Sequence, residues 1–170
     1  MKAKSLIIAI AALALSYSAA DAQIISDHSV SLSVLGIEYG YEQKLGGNWT
    51  LIGRAGVVPV GVDLYNTWET FSANFAMAYG LTVEPRFYTS MGRRAALGRP
   101  VINNSSDFVS IRAQALTDGD NPALTLTPMY GIRRHSGKHW YHEFTFGTRL
   151  MTIDEFGMTP HVQYRLGFIF

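Results

Sequence analysis

Phe75-Ala-Met77-Ala-Tyr79-Gly-Leu81-Thr-Val83-Glu-Pro85-Arg-Phe87-Tyr88 is the stretch that decides the fold. Its odd positions are large and apolar. Its even positions begin small, with Ala76, Ala78 and Gly80, and finish polar, with Thr82, Glu84 and Arg86. A period of two puts alternate side chains on opposite faces of a β-strand, so this segment is a strand whose two faces meet different surroundings. Working outward, the same alternation recurs. Met158, Pro160, Val162, Tyr164, Leu166, Phe168 and Phe170 oppose Thr159, His161, Gln163, Arg165 and Gly167. Trp140, His142, Phe144, Phe146 and Leu150 oppose Tyr141, Glu143, Thr145, Gly147 and Arg149. Val109, Ile111, Ala113 and Ala115 oppose Ser110, Arg112 and Gln114, and Leu124, Leu126, Pro128, Tyr130 and Ile132 oppose Thr125, Thr127 and Gly131. Trp49, Leu51, Ala55 and Val57 face away from Thr50 and Arg54, with Ile52 and Val58 blurring that pattern.

A soluble barrel turns its apolar face inward, whereas a transmembrane barrel turns it toward lipid and keeps polar groups in the lumen. The small residues beside Glu and Arg on the polar faces suit a crowded interior. After the first 22 residues only Lys44 and Lys138 remain as lysines, too few for an ordinary soluble surface. Aromatics gather near strand ends at Tyr39, Tyr41, Trp49, Phe87, Tyr88, Trp140, Phe168 and Phe170, as interfacial girdles do. The expectation is therefore all-β: an antiparallel up-and-down transmembrane β-barrel of eight strands.

Seven strands are plain, and an even number is needed if the chain enters and leaves on one side. Val30, Leu32 and Val34 share one parity, but Leu35, Ile37, Tyr39 and Tyr41 continue on the other. A slip of one residue turns every side chain to the opposite face, which marks a bulge or a break; a break near Gly36 yields a short first strand and the eighth element.

Residues 1–22 are set apart as a cleaved signal peptide. Lys2 and Lys4 precede the apolar run Leu6 to Leu15, and Ala20-Asp21-Ala22 is a small-x-small cleavage site. Residues 23–170 then form one exported barrel domain. Removing the leader takes Lys2, Lys4 and Asp21 from 14 basic and 13 acidic residues and leaves 12 of each, a balance unlike that of a nucleic-acid binder. There is no cysteine, so disulfides do not hold the domain together.

The connections separate by charge. Those at Gly46 to Asn48, Ser90 to Asp107 and His135 to His139, with their flanks, carry Arg93, Arg94, Arg99, Arg133, Arg134 and Lys138. Those at Gly61 to Ser72, Asp118 to Pro122 and Thr152 to Gly157 carry Asp63, Glu69, Asp118, Asp120, Asp154 and Glu155. The basic side, which holds the C-terminus, is expected to face the periplasm. Its longest connection is a periplasmic basic turn, Arg93, Arg94 and Arg99, which either meets an anionic partner, phospholipid headgroups of the inner leaflet or a periplasmic protein, or is a disordered solvated turn.

The segment Val162-Gln-Tyr164-Arg-Leu166-Gly-Phe168-Ile-Phe170 resembles the terminal signal of Gram-negative outer-membrane β-barrel proteins. The resemblance implies that Tyr164, Leu166, Phe168 and Phe170 are read by the barrel-assembly machinery during insertion, and that outer-membrane lipids and lipopolysaccharide surround a monomer. Small barrels with a Glu-Pro-Arg strand end and an arginine-rich turn, as here at Glu84-Pro85-Arg86 and Gly92 to Arg99, occur among uncharacterised members. The family also includes adhesins, lipid-A-modifying enzymes and small pores, so a structural or interaction role leads, with enzyme and narrow pore as alternatives.

Glu38, Glu42, Glu84 and Glu143 fall on polar faces with Arg54, Arg86, Arg112, Arg149 and Arg165. Glu84 and Glu143 have the makings of an acid/base pair. An eight-stranded lumen is about wide enough for side chains alone, however, so Glu38, Arg54, Glu84, Arg86, Arg112, Glu143, Arg149 and Arg165 are assigned to a lumenal ion network. His28, His135, His139, His142 and His161 show no ligand pattern beyond His135 and His139, which flank a turn with no cysteine nearby, short of the three or four convergent ligands zinc requires. A Ser/His hydrolase arrangement would need both on the lipid-facing wall; His142 occupies that face with Thr148 as the nearest hydroxyl on it in its own strand, so no nucleophile is identified. No cofactor motif is present, and no catalytic residue is assigned.

Overall fold

A computed structural model describes residues 24–33, 36–66, 71–117, 119, 122–153 and 155–170. Its strands are β1 (Asp27–Ser33), β2 (Gly36–Gly46), β3 (Trp49–Asn66), β4 (Phe71–Tyr88), β5 (Asp107–Thr117), β6 (Pro122–Ser136), β7 (Trp140–Ile153) and β8 (Glu155–Ile169). Each pairs antiparallel with the next, and β1 closes on β8 through Ser29↔Ile169 to Ser33↔Arg165, giving a closed barrel in simple meander order. The parity slip is the break between β1 and β2, whose pairing runs from Asp27↔Glu42 to Ser33↔Gly36.

The rim at which β1 begins and β8 finishes carries the turn at 47–48, the long connection 89–106 and the turn at 137–139. We call it the lower rim. The upper connections are shorter than the alternation suggested, because β3 and β4 remain paired out to Asn66↔Phe71, and β7 and β8 out to Ile153↔Glu155. Glu69, Asp118, Asp120 and Asp154 of the expected acidic loops lie outside the described residues.

The two faces of the wall have opposite character. On β4, Tyr79 and Leu81 are 68% and 67% exposed, while Glu84 and Arg86 are 0% exposed. The exposed faces elsewhere carry Leu32, Ile37, Ile111, Leu126, Phe144, Phe146, Val162 and Tyr164. Turned inward and buried are Ser31, Glu38, Thr50, Arg54, Arg112, Thr127, Glu143, Thr145 and Arg165. Ile52 and Val58, which blurred the β3 pattern, are inward as well; Val58 joins Ala78 and Leu116 in a small apolar layer of the lumen.

Trp49 packs on Phe87 with ring centroids 5.0 Å apart, and Trp140 and Phe170 flank Phe168 at 5.1 and 5.5 Å, all near the lower rim. Tyr88 is a correction to the aromatic girdle: it points into the lumen and is fully buried.

The connection 89–106 is ordered rather than disordered, although most of residues 93–100 are exposed to solvent. A short helix α1 (Met91–Ala96) and a 3-10 turn (Ile102–Asn104) fold it over the lower mouth. Met91 is buried with Ile24, Tyr88 and Phe108. The Asn104 side chain donates to the Ile25 carbonyl at 3.0 Å and accepts from the Ile25 amide at 3.1 Å. The Asn103 amide donates to the Lys138 carbonyl at 2.6 Å. Asn103 and Asn104 have φ of 52° and 55°, a left-handed conformation that asparagine tolerates better than most residues.

Candidate functional site

Each strand contributes to the lumen through its inward parity, so the network is assembled one or two residues at a time. Glu143 of β7 is its centre. Arg86 of β4 donates to both its oxygens, at 2.7 and 2.8 Å, Arg165 of β8 donates at 2.7 Å, and Arg133 of β6 at 3.1 Å. Arg54 of β3 stands 3.8 Å away. Glu84 of β4 accepts from Arg54 at 2.8 Å, from Arg112 of β5 at 2.9 Å, and from Arg86. Glu38 of β2 accepts from Arg165 at 2.8 Å, and Glu42, also of β2, from Arg133 at 2.7 Å. Thr50 and Tyr88 each donate to Glu42 at 2.7 Å. Four glutamates and five arginines therefore form one connected set of buried charges.

Two of the arginines rest on rings. The Arg86 guanidinium lies 3.9 Å from the Phe108 centroid, and that of Arg133 lies 4.4 Å from Tyr141. Each ring in turn covers an inward glycine. A Cβ on Gly131 would lie 2.1 Å from Phe108 and one on Gly167 2.1 Å from Tyr141, so only glycine leaves room for the ring.

Of the residues assigned to the network, Glu38, Arg54, Glu84, Arg86, Arg112, Glu143 and Arg165 are brought together. Arg149 is the correction: among the described residues it has no carboxylate partner, and its Nη2 sits 3.4 Å from His161 Nδ1. Arg133 and Glu42 are additions. Its position beside a turn groups Arg133 with the basic rim, but its parity, shared with Thr125, Thr127 and Gly131, is that of the lumenal face.

As an acid/base pair, Glu84 and Glu143 are poorly placed. Both are fully buried and saturated by guanidinium donors, whereas a general acid or base must reach a substrate. His142 Nδ1 lies 2.5 Å from the Tyr164 hydroxyl on the outer wall. Thr148 is six residues along the strand from it, a rise of about 20 Å. His139 bonds to the Ile169 carbonyl at 2.9 Å and stacks on Phe168. No group of three His, Asp or Glu among the described residues converges as a metal site.

The basic turn forms a second surface, on the lower cap. Arg93, Arg94, Arg99 and Arg134 line a polar depression of about 400 Å³ with Ser90, Leu97 and Asp107. Arg134 donates to Asp107 at 2.6 Å, and Arg94 to the Pro100 carbonyl at 3.0 Å. Partial burial, then the charge of Arg134, lowers the Arg94 pKa; Asp107 opposes this and Arg99 adds to it. Tyr164, Leu166, Phe168 and Phe170 form the outward row of β8, ending at the lower rim.

A closed eight-stranded barrel, charged within and apolar without, is the class these observations define. Comparison with family models, curated proteins and solved structures finds no match to the chain, so its role rests on the site alone.

Proposed function

We propose that this protein is an integral outer-membrane β-barrel with a structural or interaction role, monomeric, and surrounded by outer-membrane lipid and lipopolysaccharide. The observation that carries this reading is the inversion of the wall. Burying nine charged side chains in a lumen while presenting a continuous belt of Leu, Ile, Val, Phe and Tyr outward is unfavourable in water and favourable in a bilayer. The aromatic cluster at the lower rim fits a membrane interface.

The lumen is closed in this reading. The ion network fills its middle, and the folded connection 89–106 covers its lower mouth, so the barrel conducts no steady current. The arginine-lined cap faces the periplasm, where it meets phosphates of the inner leaflet; charge attraction near such a surface amounts to about 1 kcal/mol per basic residue. Membrane fractionation with a heat-modifiability gel tests the proposal. The expected result is a band in the outer-membrane fraction that migrates faster unheated than boiled; recovery in a soluble fraction would refute it.

A further inference from the structure

Arginines outnumber carboxylates among the described lumenal side chains, six to five. Among the described inward side chains, Arg54, Arg86, Arg112, Arg133, Arg149 and Arg165 face Asp27, Glu38, Glu42, Glu84 and Glu143. The acids concentrate toward the middle and lower lumen, leaving Arg149 without a carboxylate among the described residues.

Below Arg149, beside β8, the hydrogen bonding is incomplete. Nη2 of Arg112, Nε of Arg165 and Oγ of Ser33 are buried and have no partner within the protein, and Arg112 itself is only 3% exposed. These atoms belong to one neighbourhood. Ser33 and Arg165 are register partners across β1 and β8. Arg112 Nη1 and Arg165 Nη2 both donate to Gln163 Oε1, at 2.7 and 3.2 Å. Two guanidiniums thus meet on a neutral amide oxygen, with donors to spare and with Glu84 and Glu38 already engaged on their other sides. A buried donor without an acceptor costs about 1–3 kcal/mol, more when charged.

The wall beside this group is low. β1 stops at Ser33, opposite Arg165, and the β2–β3 pairing stops at Ile37↔Val57, while β8 continues up to Glu155 and β3 to Asn66. No described strand stands between those two edges above the β1–β2 hairpin. Gln163, half-buried, lies at this notch.

We propose that the notch is the entrance to an oxyanion site, in which a carboxylate or phosphate accepts from Arg112 Nη2, Arg165 Nε and Ser33 Oγ. Two sources share this chemistry: a free anion from the upper mouth, and the headgroup of an amphiphile entering sideways from lipid. The second rests on the membrane reading, the first only on the fold.

The test uses the full barrel folded in zwitterionic detergent, with arginine labelled at ¹⁵Nε. Sodium phosphate and lauryl phosphate are titrated separately at constant ionic strength. The Arg112 and Arg165 Nε–H resonances should shift saturably, and Ser33→Ala, which leaves every ion pair of the network intact, should weaken binding about tenfold. That factor corresponds to about 1.4 kcal/mol, near the lower bound for a hydrogen bond to a charged group. Lauryl phosphate binding ten times tighter than phosphate assigns the lateral source; equal affinities uphold the oxyanion site and assign the free anion. No saturable shift with either compound, or a midpoint unchanged in Ser33→Ala, overturns the proposal. Because both arms run in detergent, their failure is separable from a failure of fractionation.

Discussion

Glu143→Gln tests most sharply whether the buried charges hold the barrel together. The substitution preserves shape but removes the charge on which Arg86, Arg133 and Arg165 converge at 2.7–3.1 Å, and replaces one acceptor oxygen by a donor facing those guanidiniums. Arg86 retains Glu84, Arg133 retains Glu42 and Arg165 retains Glu38, so no arginine loses every carboxylate. All are shielded from water, however, and breaking a buried ion pair costs about 3–5 kcal/mol. Against a total stability of about 5–15 kcal/mol, that is a large fraction. With a urea dependence of about 2 kcal/mol per molar, a loss of 4 kcal/mol moves the midpoint down by about 2 M. The assay is urea unfolding of the refolded barrel in vesicles, followed by tryptophan fluorescence and gel mobility, with Lys44→Gln at the lower rim as a control that leaves the midpoint in place. A Glu143→Gln midpoint indistinguishable from that of the parent would refute the reasoning, since it would mean that the network contributes no cohesion.

Three further outcomes are expected. Gly131→Ala should displace Phe108 from beneath Arg86 and destabilise the barrel by about 1–3 kcal/mol, read in the same urea assay. Planar-bilayer recordings should show no steady conductance, because the ion network and the 89–106 cap occlude the lumen; large stable steps would favour the pore reading. Removing Phe170 should lower the amount of folded protein in outer membranes, measured by gel mobility of the membrane fraction, and unchanged levels would argue against the assembly role given to the β8 row.

Much of this architecture was legible because period-two alternation is a local property of the chain. The break at Gly36 showed in the parity of Val30 and Leu32 against Ile37 and Tyr39, and the inward Glu and Arg residues could be read from their strand faces. What escaped depends on contacts distant in sequence. Arg133 stands beside Arg134 and a turn, and only its pairing with Glu42, 91 residues away, separates a lumenal residue from a rim one. Tyr88 looked interfacial because it ends a strand, yet it turns inward to reach Glu42 and Phe108. The fold of 89–106 depends on Asn103 and Asn104 bonding to the backbone of Lys138 and Ile25, which no local pattern announces. Arg149 shares the network's parity but lies above it, and alternation carries no information about height along a strand.

Membrane insertion with a fixed orientation is the central claim, and single-cysteine labelling on whole cells tests it most directly. The acidic upper connections are assigned to the cell surface, beside lipopolysaccharide phosphates bridged by divalent cations, and the arginine-lined cap to the periplasm. A cysteine replacing Asp120, in the connection 118–121, should react with a membrane-impermeant maleimide on intact cells, and one replacing Arg94 only after the outer membrane is opened. Labelling at Arg94 in intact cells with Asp120 silent would contradict the orientation, and equal labelling of both only after lysis would contradict placement across the outer membrane altogether.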